Sequence, residues 1–126
     1  MLLIVGGAKQ GKRKIALEQT GCTLRDVGDG GAVVDRLHLL IREELKQGRE
    51  ISPLLERMLK KQAVVCDEIG CGIVPADAFE RRWREEVGRA CQFLAAHAQQ
   101  VIRVTCGIPV VIKGAPEESV RGEKGE

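Results

Sequence analysis

The residues best suited to chemistry form a glycine-rich loop, Gly6-Gly-Ala-Lys-Gln-Gly11-Lys12. Its spacing follows the phosphate-binding P-loop pattern GxxxxGK as far as Lys12. In such a loop, successive backbone N–H groups line a concavity at a helix N-terminus, where the helix dipole also favours phosphate oxygens. Glycines allow the φ values that this wrap demands and leave room for a ligand. Lys12 would reach the outer phosphates. The candidate nucleotide-binding set is therefore Gly6, Gly7, Ala8, Lys9, Gln10, Gly11, Lys12 and Arg13. Arg13 departs from the pattern, which places a Ser or Thr there to ligate Mg²⁺. A guanidinium cannot hold that ion, but it puts a second positive charge beside the phosphates. Mg²⁺ is thus a cofactor that these residues neither require nor exclude. The plainer alternative is a tight glycine turn with solvated lysines; an apolar strand before it and a helix after it favour phosphate binding.

Carboxylates follow two further apolar runs. Asp35 ends the run at 32–35, and Asp67-Glu68 follows the run at 63–66. An acid at a strand end can order a metal ion or its water, as the Walker-B acid does. Asp35 and Glu68 join Lys12 as candidate catalytic residues, and Asp35 and Asp67 are candidate metal ligands. For each acid the alternative is a solvated carboxylate near a helix N-terminus, where the dipole favours it. His38 and His97 fall within helical stretches and read as structural. Phe79 and Trp83 read as core or interface anchors. The charged run from Glu80 to Glu86 reads as a solvated helix face with i,i+4 pairs. The five cysteines, Cys22, Cys66, Cys71, Cys91 and Cys106, contain no CxxC pair. They read as reduced, mostly buried thiols rather than zinc ligands or disulfides.

The elements that must position these groups alternate in type. Strands are expected at 2–5, 32–35, 63–66, 101–106 and 110–113. Helices are expected at 12–19, 37–46, 52–61 and 76–99, with Gly21 stopping the first and Ser52-Pro53 opening the third as N-cap and N1. A glycine-rich loop is expected at 69–75 and a turn at 107–109. This alternation predicts an α/β fold: a mostly parallel sheet covered by helices on both faces, with a C-terminal hairpin. Ligands of such sheets bind at the carboxyl ends of the strands. The glycine loop, Asp35 and Asp67-Glu68 all fall at that end.

Composition narrows the partners. A chain of 126 residues fits one domain, here 1–113, followed by a polar stretch at 114–126 expected to be a disordered tail. Aromatic residues make up only 2%, which removes base-stacking platforms for single-stranded nucleic acid. The formal net charge of +2 is too mild for a nucleic-acid footprint. No apolar run approaches the roughly 20 residues that span a bilayer. The opening apolar residues lack the basic flank of a signal segment, so a cytoplasmic location is expected.

Longer motifs carry a resemblance. Val64-Val-Cys-Asp-Glu-Ile-Gly-Cys-Gly-Ile-Val-Pro75 is similar to a strand and loop of the type VTNEVGxGIVP. Phe79-Glu-Arg-Arg-Trp-Arg-Glu-Glu-Val-Gly88-Arg-Ala-Cys-Gln92 is similar to an RxFRDxxGxxNQ helix. With the glycine loop, the segment from Ala32 to Leu40 and the closing strands from Val104 to Lys113, these resemble the bifunctional adenosylcobinamide kinase/adenosylcobinamide-phosphate guanylyltransferase family. The resemblance implies a RecA-like P-loop fold in three layers, a cyclic homo-oligomer, and ATP or GTP as nucleotide. It also implies a transferase acting on a cobinamide-type substrate in cobalamin biosynthesis. In that family a histidine between the P-loop helix and the next strand receives the guanylyl group; here that segment shrinks to residues 22–31 and holds no histidine.

Overall fold

The computed structural model describes residues 1–69 and 77–114. Most of the glycine-rich loop expected at 69–75 and all but the first residue of the expected tail lie outside the described residues. Five strands form one sheet: β1 Leu2–Gly6, β2 Val33–Val34, β3 Ala63–Asp67, β4 Gln100–Thr105 and β5 Ile108–Lys113. Their order is β2-β3-β1-β4-β5. The first four run parallel and β5 returns antiparallel against β4. β1 is apolar at every position because it is central and buried on both faces.

The two faces are covered by different helices. Leu3, Val5, Val64 and Cys66 face one core with α2 Leu37–Lys46, α3 Ser52–Met58 and α4 Ala78–His97. Leu2, Ile4, Ala63 and Val65 face a second core with Ile15 and Ala16 of α1 Lys12–Thr20. This is the expected three-layer α/β arrangement of a mostly parallel sheet with a C-terminal hairpin. α1 stops at Gly21, whose φ of 74° lets its N–H reach back to the Leu17 carbonyl. α2 buries Leu37, His38, Ile41 and Leu45, one face at helical spacing.

Some boundaries differ from the sequence reading, each for a local reason. Ser52 is the first helical residue of α3 rather than its cap; Ile51 takes the cap position without a side-chain bond. α3 closes at Met58, because Lys60 and Lys61 bond three residues back and tighten the chain toward β3. α4 starts at Ala78, where the Asp77 carboxylate accepts the N–H groups of Phe79 and Glu80. Glu80 reaches across to Arg42 of α2 at 2.6 Å instead of pairing along its own helix, and the Arg42 guanidinium lies 4.6 Å from the Trp83 ring centre. The β4–β5 turn is Cys106-Gly107, both at positive φ as a two-residue hairpin requires, so Ile108 and Pro109 belong to β5. Pro109 is tolerated because β5 is an edge strand. Of the cysteines expected to be mostly buried, Cys66 is buried, Cys22 and Cys91 are half-buried, Cys106 at the hairpin turn is exposed, and Cys71 lies outside the described residues. Among the described residues no helix is long and apolar enough to cross a membrane.

Gly6 marks where β1 leaves the sheet. A Cβ there would stand 2.5 Å from the Val104 carbonyl oxygen of β4, and its φ is +156°. Gly6→Ala should therefore lower the unfolding free energy by about 3 kcal/mol. The measurement is a shift of the urea midpoint at unchanged slope; a variant as stable as the wild type would contradict this account of the strand end.

Candidate functional site

The site forms where β1 and β3 end side by side, with Gly6 in register with Asp67. Beyond Gly6 the chain wraps through Gly7 to Gly11. Lys9 takes φ 58° and Gly11 φ 88°, and α1 begins at Lys12. A left-handed lysine costs energy that the surroundings must offset. Gln10 supplies part of the support. Its carbonyl accepts the Gly107 N–H at 3.0 Å and its side-chain oxygen accepts the Cys106 N–H, latching the loop onto the β4–β5 turn. Three non-glycine residues have positive φ among the described residues: Lys9, Arg36 and Cys106. One lies in the loop, one lines the cavity beside it, and one is bonded to Gln10.

Lys12, the first residue of α1, follows the loop directly and is only 6% exposed. Its ammonium donates to the Gly7 carbonyl and sits 2.8 Å from Oδ1 of Asp67. A buried cation without a counter-charge would be costly, and β3 provides one. The other carboxylate oxygen of Asp67 lies 3.4 Å from Nε2 of His38, while the Asp67 N–H donates to His38 Nδ1 at 3.1 Å. One imidazole thus grips Asp67 at both backbone and side chain. Because Nδ1 accepts, the ring proton belongs on Nε2, facing the carboxylate. The Trp83 indole N–H donates to the His38 carbonyl at 2.8 Å and ties this arrangement to α4. Burial pushes the His38 pKa below its ordinary value. Asp67 and Asp35 oppose that shift, and Lys12 and Arg36 reinforce it.

A cavity of about 720 Å³ opens over the loop. Its lining includes Ala8 through Lys14, Asp35, Arg36, His38 and Asp67, so five cations meet three carboxylates there once Glu18 is included. Of the residues proposed from sequence, Lys12, Asp35 and Asp67 converge on this cavity with Ala8, Lys9, Gln10, Gly11 and Arg13. Gly6 and Gly7 are not among the lining residues. Glu68 does not face the cavity: its carboxylate pairs with Arg103 of β4 at 3.1 Å, and its N–H donates to the Gly6 carbonyl. Asp67, not Glu68, is the acid on Lys12. Asp35 and Asp67 have the donor chemistry for a Mg²⁺ that arrives with phosphates, since that ion commonly takes one or two carboxylates and keeps several waters. Among the described residues no three His, Cys, Asp or Glu side chains converge as a ready metal cage. His38 had no sequence signal as a site residue because its partner lies on β3, and the latch that Gln10 makes to the distant hairpin had none either.

Comparison with known proteins bears on the same residues. Residues 26–112 match the family described as cobinamide kinase / cobinamide phosphate guanyltransferase. The bifunctional adenosylcobalamin biosynthesis protein CobU of Salmonella typhimurium is 43% identical over 58 residues, covering 46% of this chain and 32% of that protein. The protein of that name from Escherichia coli has the same identity and coverage. The match spans about a third of the length of these curated relatives. The chain belongs to the cobinamide kinase / cobinamide phosphate guanyltransferase family. The family match holds Asp35, His38, Asp67 and Glu68 and begins beyond the glycine loop.

Protonating His38 would set Nδ1–H against the Asp67 N–H, donor against donor. With its folded pKa below the unfolded value of about 6.5, the unfolded chain binds more protons between the two. This contribution to stability is therefore complete above about pH 6.5 and declines as pH falls toward the folded pKa. Urea unfolding at steps from pH 7.5 to 5 should show that decline in the wild type and a shallower one in His38→Gln. Parallel curves would remove His38 from this role.

Proposed function

We propose that this family member binds the phosphates of ATP or GTP in the cavity at the ends of β1 and β3 and uses them as a cobinamide-kinase-type transferase. The observation that carries the reading is Lys12: a buried ammonium directly after a glycine loop, held by a carboxylate that it can exchange for a phosphate. The backbone amides of residues 7–13 and the N-terminus of α1 supply donors for the phosphate oxygens. Arg13, exposed in the first turn of α1, adds charge where a hydroxyl would ordinarily stand. Lys12 and Asp35 are the proposed catalytic groups, with Asp35 and Asp67 holding Mg²⁺. The ion would spread charge on the transferring phosphoryl group. Glu68 serves by keeping Arg103 and the end of β4 in place.

A cobinamide-type alcohol is the proposed acceptor, by family membership. Guanylyl transfer through a histidine is not part of the proposal: residues 22–31 hold none, and both ring nitrogens of His38 are engaged with Asp67. One observation favours a second reading, a non-catalytic binding or regulatory subunit: Arg13 stands where the metal-ligating hydroxyl belongs. Ile108, Val110 and Ile112 stand exposed on the edge strand β5, and we assign them to contacts in a homo-oligomer.

Calorimetric titration with ATP and GTP, with and without Mg²⁺, tests the site. Wild type should bind, and Lys12→Ala should weaken binding roughly tenfold to a hundredfold, the worth of a hydrogen bond to a charged group. Asp67→Asn should tighten Mg²⁺-free binding by freeing Lys12. A wild type that binds neither nucleotide sinks the reading. Binding without any transfer of labelled phosphate to cobinamide selects the second one.

A further inference from the structure

Five large apolar side chains stand exposed among the described residues: Leu24, Leu39, Ile108, Val110 and Ile112. Scattered single leucines at a surface need no explanation. These are not scattered. Three lie along β5, and the other two line one cavity, the one over the glycine loop. Leu24 is 63% exposed and Leu39 44%, and they come from different elements. Leu39 lies in the first turn of α2. Leu24 opens the 3₁₀ turn Leu24–Asp26, closed by the Thr23 N–H donating to Asp26 Oδ2 at 2.8 Å, so ordered backbone holds it outward. Half-buried Leu17 of α1 lines the same cavity.

The cavity therefore has two kinds of wall. Cations and loop amides form one, and aliphatic side chains form the other, with no Phe, Tyr or Trp in the lining. A ligand matched to both is polyanionic at one end and flat, uncharged and weakly polar at the other. We propose that Leu17, Leu24 and Leu39 form the subsite for the heterocyclic base of a nucleoside phosphate whose phosphates lie on the loop. This rests on the phosphate-site reading above. The base is held by aliphatic contact on its face, which discriminates little between purines. Arg36, which lines the same cavity, supplies donors for the ring edge.

The test compares two ligands on the full chain, ATP and inorganic tripolyphosphate, for wild type and a Leu24→Ser/Leu39→Ser variant. Both leucines are exposed, so the variant keeps the fold, and its tripolyphosphate binding serves as the internal check. Wild type should bind ATP more tightly than tripolyphosphate. The variant should lose about tenfold in ATP affinity, the worth of roughly 60 Å² of buried apolar contact, at unchanged tripolyphosphate affinity. ATP affinity unchanged in the variant overturns the subsite. So does an equal loss for both ligands, or a changed oligomeric state, which would mark the leucines as a contact between copies. A wild type that fails to bind tripolyphosphate overturns the phosphate site itself, and the subsite falls with it.

Discussion

The ion pair between Lys12 and Asp67 is the constraint around which the rest is arranged. An ammonium at the end of an apolar sheet must have a counter-charge, and the parallel register of β1 and β3 delivers one beside Gly6. The pair in turn needs its geometry fixed. His38 holds Asp67 from α2, and Trp83 of α4 holds His38 through its carbonyl. Arg42 and Glu80 then join the same two helices farther along. A chain of polar contacts thus runs from the glycine loop to the longest helix. Removing one member of a buried pair typically costs about 3–5 kcal/mol, while apolar replacements of both are often neutral. Stability alone therefore gives little reason for the pair, whereas a cation that must stay charged and change partners gives a strong one.

Local signals made much of the fold legible. The apolar run at 2–5, the glycine spacing and Gly21 fixed β1, the loop and the end of α1, because each acts over a few residues. Sequence also brought Lys12, Asp35 and Asp67 to one end of the sheet. It could not choose between adjacent acids. Side chains alternate along a strand, so Asp67 and Glu68 were bound to diverge, and only the packing of β4 shows that Glu68 turns to Arg103. His38 and the latch from Gln10 stayed hidden for a similar reason, since each depends on a neighbour distant in sequence. At Ser52 the helix begins one residue earlier than the local cap signal placed it, with Ile51 in the cap position.

Family membership and the glycine loop come from separate parts of the chain. The matched residues begin at 26, yet three contacts bind the loop to them: the register of β1 with β3, the Lys12–Asp67 pair, and the latch from Gln10 to the β4–β5 turn. The family portion thus supplies the acid, the imidazole and the hairpin, and the loop supplies the amides and the cation.

The strand order also sets when this site can exist. Leu2 pairs with Ala63 on one side and with Gln100 on the other. As the chain emerges from the ribosome, β1 therefore waits unpaired until β3 and then β4 have been made. Its loop stays open until Cys106 and Gly107 follow. Such long-range pairing slows folding and leaves an apolar strand exposed in the meantime. A glycine loop encoded ahead of all its partners is among the last parts of this protein to take shape.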